Sequence, residues 1–419
     1  LRNASNLAVF FIVALWLCSA LFEIILKRKA IKIKNFGIII CIVYWQIWEY
    51  MLRAMDYSTA SWGNYYSNTL FWFSIIIYLF QSNYATEKAK KIIAAFIFLI
   101  YTVNLIDNLR LLSLYPTAST DINFSWGEQY LKMNIGGTMF NTLTMLVFCI
   151  SIAIVLKHTD KKVKIIFGML CIIEILYIYI CARATVIILI IAALLLNILS
   201  LFPIYQKQKP MVILMILLGL PLMAYYVVPS ILEQVILISK NDRVVERMVD
   251  LVSLLRGQLY ASRVESSSLL QRISLARISL STFFSSVKNF FIGVGYHTYK
   301  GYYESLQTGV GGHSEFIDLL AKYGLVGACF VFSILRQFFK LSINNMKGEP
   351  FYSNIKVVVT IYILCSFFNT SFSPEIGIIM FILMPYSRYL FVSIKEQKES
   401  KMSTFCTVED HLVNNGKII

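Results

Sequence analysis

His313 follows Gly311 and Gly312 and precedes Ser314 and Glu315, after which Phe316, Leu319, Leu320 and Tyr323 recur at helical spacing. The pattern predicts a helix that begins at His313 and stops at Gly324. A histidine at a helix N-terminus sits beside backbone N–H groups that attract anions, so it can act next to a bound phosphate. A neutral imidazole near pH 7 is also suited to taking a proton from a hydroxyl. A purely structural histidine fits the same position.

Arginines supply the complementary chemistry, because the planar guanidinium grips a phosphate through two parallel N–H bonds. Arg272 and Arg277 lie where Leu269, Ile273, Ala276, Leu280, Phe283 and Val287 align as one apolar helical stripe, with Ser267, Ser274, Ser281 and Ser285 opposite. At about 100° per residue the two arginines fall roughly 60° to 80° to either side of that stripe. Such a helix either rests on a membrane surface or packs on the tops of membrane spans, and both readings place the guanidinium groups at headgroup level. Arg183 occupies a short turn, Ala182-Arg-Ala-Thr185. Glu174 lies near the middle of an apolar run, where an ionisable group is costly and becomes a functional candidate. Two readings stand for it: pairing with an arginine in a cavity, or bracing helices through a buried hydrogen bond. Glu49, Asp107 and Arg110 lie near the ends of apolar runs, where a structural interfacial role is expected.

The elements that must position these groups are apolar. Of 419 residues, 58% are hydrophobic and 15% charged, with a mean hydropathy of +0.68. That balance excludes an ordinary water-soluble domain and points to a membrane solvent. Eleven runs long enough to cross the hydrocarbon core recur, at about 7–26, 36–52, 68–83, 92–109, 138–156, 165–181, 185–202, 211–228, 324–340, 357–372 and 376–393. The expected fold class is all-α, a polytopic transmembrane helix bundle. Residues 1–228 carry spans one to eight, 229–323 a large helical extracytoplasmic loop, 324–393 spans nine to eleven, and 394–419 a cytoplasmic tail. The first residue is Leu1, so an earlier segment with a twelfth span is allowed for. The first run is followed by its positive cluster, as in a retained anchor. No internal repeat is visible.

Lysine-rich connections near 27–34, 88–91, 157–164, 207–209 and 340–347 alternate with connections nearly free of lysine. The positive-inside rule makes the lysine-rich set cytoplasmic and the N-terminus external. The formal charge of +15 therefore follows from topology, and no nucleic acid is expected as partner. Most arginines, among them Arg53, Arg110, Arg183, Arg272 and Arg277, fall on the outer side. Two readings stand again: an outer face built to hold phosphate, or solvated arginines in loops that escape the charge rule. The eight cysteines lie in spans, at their ends or in the tail, so neither disulfides nor a cysteine zinc site is expected. The loop near 110–137 carries Trp126 and tyrosines, in keeping with an interfacial belt.

The stretch from Arg272 to Gly327 resembles the signature region of the Wzy-type O-antigen polymerase and O-antigen ligase family. Two parts carry the likeness. The first is Arg272-Ile-Ser-Leu-Ala-Arg-Ile-Ser-Leu280 followed by Asn289-Phe-Phe-Ile-Gly-Val-Gly295, similar to the family's arginine helix and Asn-Pro-x-x-Gly-x-Gly turn. The second, Gly312-His-Ser-Glu-Phe-Ile-Asp-Leu-Leu-Ala-Lys-Tyr-Gly-Leu-Val-Gly327, is similar to its His-Asn-x-x-Leu element ending in Gly-hydrophobic-hydrophobic-Gly. Ala182-Arg-Ala-Thr185 is a weaker likeness to the family's Ser-Arg turn. The chain departs at Phe290, where the family has proline, at Ser314, where it has asparagine, and at Ala182.

The resemblance implies a multi-pass protein of the bacterial inner membrane whose helical outer loop covers a cavity at membrane level. It implies metal-independent, inverting glycosyl transfer from undecaprenyl diphosphate, with no cofactor; no Asp-x-Asp pair stands in the outer loops to hold a divalent ion. The leading expectation is a repeat-unit polymerase of O-antigen or capsule, and the close rival is an O-antigen ligase acting on lipid A core. A flippase or transporter also fits many spans, but those bind substrate near the midplane between paired halves, and the informative residues here cluster outside. In the enzyme, Arg183 and Arg272, with Arg277 third, would stabilise the departing diphosphate. His313 would take or orient the acceptor's proton or bind the diphosphate, and Glu174 would mark an intramembrane polar site. The expected partners are an undecaprenyl-diphosphate-linked oligosaccharide, membrane lipid, a chain-length regulator and a flippase.

Overall fold

Apolar runs become helices in the computed structural model, which describes residues 36–55, 62–114, 138–181, 184–201, 268–295, 302–347, 349 and 351–391, with scattered positions between 229 and 253. The expected spans 7–26 and 211–228, the tyrosine-bearing stretch 115–137, Arg183 and the tail lie outside the described residues. Among those described there is no strand.

In chain order the helices are α1 (Phe36–Met55), α2 (Trp62–Tyr84), α3 (Glu87–Leu114), α4 (Thr138–Lys157), α5 (Lys161–Cys181) and α6 (Ala184–Leu199). They are followed by α7 (Ser268–Phe284), α8 (Val287–Phe291), α9 (Tyr302–Thr308), α10 (Glu315–Asn344), α11 (Tyr352–Phe368) and α12 (Pro374–Ile378). After α12 the chain runs through one π turn, Ile379–Leu383, into Met384–Tyr386 and Arg388–Phe391.

Among the described residues four helices are long and apolar enough to cross a membrane: Glu87–Leu114, Met139–Lys157, Lys161–Cys181 and Glu315–Asn344. Shorter apolar helices at Phe36–Leu52, Thr69–Ser82, Leu189–Leu199, Tyr352–Phe368 and Pro374–Tyr386 fall on five further expected spans. α4 is the central helix of its group, with 67% of its apolar window buried against 28% for α3 and α5. The outer two instead turn Ile92, Phe96, Leu99, Ile166 and Met169 outward, as helices bathed in lipid do.

Aromatic rings tie the remaining helices together. Trp45 of α1 meets Tyr323 of α10 edge-on at 4.9 Å, Phe71 of α2 stacks on Phe372 at 4.8 Å, and Phe338 of α10 meets Phe381 at 4.8 Å. Such pairs add directional preference to burial. At another point the helices are joined by amides, where Asn354 Nδ2 donates to Asn197 Oδ1 over 3.0 Å and to Ser200 Oγ over 3.2 Å.

Gly324 breaks α10 as expected, with φ 62° and ψ −168°, a conformation that glycine adopts at no steric cost. The break strips Ala321 and Lys322 of their next-turn donors. Val294 and Gly295 replace them, their N–H groups donating to Ala321 O and Lys322 O over 2.9 Å each. A Cβ on Gly324 would stand 2.4 Å from the carbonyl carbon of Phe291, and one on Gly293 2.3 Å from Lys322 O. The Gly293-Val-Gly295 motif thus seals the bend.

Candidate functional site

α7 reaches the site through a face different from the expected one. Leu275, Ser279 and Phe283 are buried, Leu280 is 38% exposed and Val287 78% exposed. The stripe drawn through Leu280, Phe283 and Val287 therefore splits, with only Phe283 turned inward. The physical reason is that Ser279 is fully buried and belongs to a hydrogen-bonded seam, so a polar residue occupies the packed face.

That seam joins α7 to the start of α10. Ser279 Oγ donates to Asp318 Oδ1 over 2.6 Å and accepts from Gly311 N over 2.8 Å. Asp318 Oδ2 accepts from Ser314 N over 2.9 Å. Ser314 is the N-cap of α10, its hydroxyl accepting a long 3.4 Å bond from Ile317 N. The carboxylate also lies in the helix's first turns, where the backbone dipole favours negative charge. Gly311 can approach because it has no side chain; a Cβ there would stand 2.3 Å from Leu275 O.

His313 is half-buried and immediately precedes this cap, the helix-start position expected for it. Arg272 is half-buried and reaches across to the connection between α11 and α12. Its Nη1 donates to Phe368 O over 2.7 Å and bonds Asn369 Oδ1. The same connection is bound to α10, since Glu315 N donates to Asn369 O over 3.2 Å. Glu315 Oε2 accepts from Ser371 N over 2.8 Å and from Phe372 N over 3.1 Å. Arg272 and Glu315, two residues after His313, thus meet on one turn, Phe368–Phe372.

The other expected residues stand apart from that turn. Arg277 is exposed and lies about 140° around α7 from Arg272, so the two do not converge. Arg183 lies outside the described residues. Glu174 is fully buried, and neither carboxyl oxygen has a hydrogen-bond partner among the described residues. Tyr101 is the polar neighbour that faces it, although no hydrogen bond closes between them. Glu49, fully buried, accepts from Tyr323 Oη over 3.1 Å, a structural link between α1 and the bend of α10.

Sequence reasoning passed over Ser279, Asp318, Glu315 and Asn369. Ser314 with Glu315 and Asp318 in the first turns after it is a helix-start signal, a capping hydroxyl followed by acidic residues, that pointed to the carboxylate. Ser373 before Pro374 marked the start of α12, and hence the extended turn ahead of it. Hydropathy alone ran the neighbouring span through Phe372, whereas α11 ends at Phe368. Asn369 is almost fully buried and its Nδ2 has no hydrogen-bond partner among the described residues, an orphaned donor beside Arg272.

No protein-family model matches the chain, and no curated protein sequence matches it.

Proposed function

We propose that the chain is a polysaccharide polymerase of the bacterial inner membrane, resembling the Wzy-type O-antigen polymerases. It would have eleven spans and an active site on the extracytoplasmic side. It would transfer a growing glycan from undecaprenyl diphosphate to the terminal sugar of another lipid-linked repeat unit. What supports the reading is that the two motif-bearing stretches converge, with Arg272 and Glu315, two residues after His313, bonded to one turn.

In the reaction the anomeric C–O bond to the diphosphate breaks and a bond to the acceptor hydroxyl oxygen forms. The leaving diphosphate gains negative charge, which a guanidinium of fixed plane stabilises as it develops. Phe368 O and Asn369 Oδ1 fix that plane for Arg272. The acceptor hydroxyl loses its proton, and His313, set at the start of α10, is the group assigned to receive it.

The purified chain in lipid nanodiscs, given a defined undecaprenyl-diphosphate-linked oligosaccharide, is expected to produce a ladder of elongated products. A ladder of undiminished strength from Arg272→Ala combined with His313→Ala would reject the assignment.

A further inference from the structure

We propose that the α7–α8 hairpin is a membrane wedge, whose ridge of Leu280, Phe284, Val287 and Phe291 sinks into the phospholipid leaflet at the Gly324 end of α10. The inference concerns where the hairpin sits and is independent of the proposed reaction.

Leu280 is 38%, Phe284 70%, Val287 78% and Phe291 48% exposed. Leu280 and Phe284 lie one turn apart on α7, and Val287 and Phe291 one turn apart on α8, so each helix presents an exposed apolar pair. Exposed apolar side chains in such pairs mark a surface that meets something other than water. The ridge is anchored from within: Phe283, buried, touches Phe284 at 4.8 Å and Phe290 at 4.9 Å, and Phe290 touches Phe291 at 5.0 Å.

Lipid is the occupant for two reasons. The first is depth. Gly293 and Gly324 pack backbone against backbone, which puts Phe291 and the exposed Ile292 beside the bend. There the apolar run of α10 begins with the exposed Leu325. The hairpin tip therefore stands at the level where α10 enters hydrocarbon. The second is charge. Residues 268–303 hold Arg272, Arg277, Lys288 and Lys300 and no Asp or Glu, and Arg277 and Lys288 are exposed. On the α7 wheel Phe284 lies about 40° from Leu280, Arg277 about 20° further, and the exposed Ser281 about 100° from Leu280. Arg277 thus marks the boundary between an apolar and a hydroxyl-bearing side, the place of a cation at the anionic headgroups.

The test introduces the photocrosslinker p-benzoylphenylalanine at position 284, and separately at position 281, in the full chain reconstituted in phosphatidylglycerol nanodiscs. Irradiation is expected to add a phospholipid mass to the protein carrying the probe at 284, with at least about fivefold less adduct at 281. The yield at 284 is expected to fall in phosphatidylcholine nanodiscs, and Arg277→Gln with Lys288→Gln is expected to abolish that lipid dependence. Equal adduct at both positions, or capture at 284 of a second copy or another protein in place of lipid, would overturn the wedge.

Discussion

Ser279 of α7 and Asp318 of α10 share a hydrogen bond of 2.6 Å between buried side chains, and the motif-bearing helices are held together there. Ser279→Ala strands one lobe of the carboxylate and the Gly311 N–H at once. An unsatisfied buried polar group costs about 1–3 kcal/mol, so a lowered unfolding temperature in detergent is expected. Asp318→Ala is expected to lower it as well, since it frees the Ser279 hydroxyl and Ser314 N. Unchanged melting of both variants would mean that the seam is not formed.

Asn369→Ala is expected to reduce glycan elongation by about a hundredfold, because the guanidinium loses one of the two acceptors that set its plane. Asn369→Asp keeps an acceptor and should retain the orientation. Its added negative charge beside Arg272 should instead weaken the donor substrate, raising KM more than it lowers kcat. Identical losses in kcat and KM for both variants would count against positioning through Arg272.

Replacing Arg272 by lysine keeps the charge and removes the fork. Turnover is expected to drop by about a hundredfold, the scale of one preorganised donor lost from a developing anion. Near wild-type polymer from Arg272→Lys would show that a point charge suffices.

Metal independence is expected to appear as an elongation ladder that persists in excess EDTA. Activity lost on chelation and restored by a divalent ion would contradict it.

At Glu174 the neutral isostere is the informative change. Glu174 is a buried carboxyl without a hydrogen-bond partner among the described residues, and such a group is costly when charged, so Glu174→Gln is expected to leave thermal stability unchanged or to raise it. A large loss of stability would mean that the acid has a charged partner outside the described residues.

Much of the helical layout was legible because long apolar runs have few alternatives, and the bend at Gly324 and the cap before α10 were written in glycine and serine. The turn Asn369–Ser373 was not, because Phe368 and Phe372 keep the local hydropathy high across it. The facing of α7 was also hidden: its apolar residues surround much of the helix, so periodicity alone does not choose between lipid and protein sides. The choice is made by Ser279 finding Asp318, 39 positions away, and no local pattern contains such a pairing.

The amides of Val294 and Gly295 have a consequence for movement. Straightening α10 at Gly324 would leave the carbonyls of Ala321 and Lys322 to find new donors while the loop amides lost their acceptors. The elbow is therefore latched, and any travel of the histidine-bearing half must carry the hairpin tip with it as one lever.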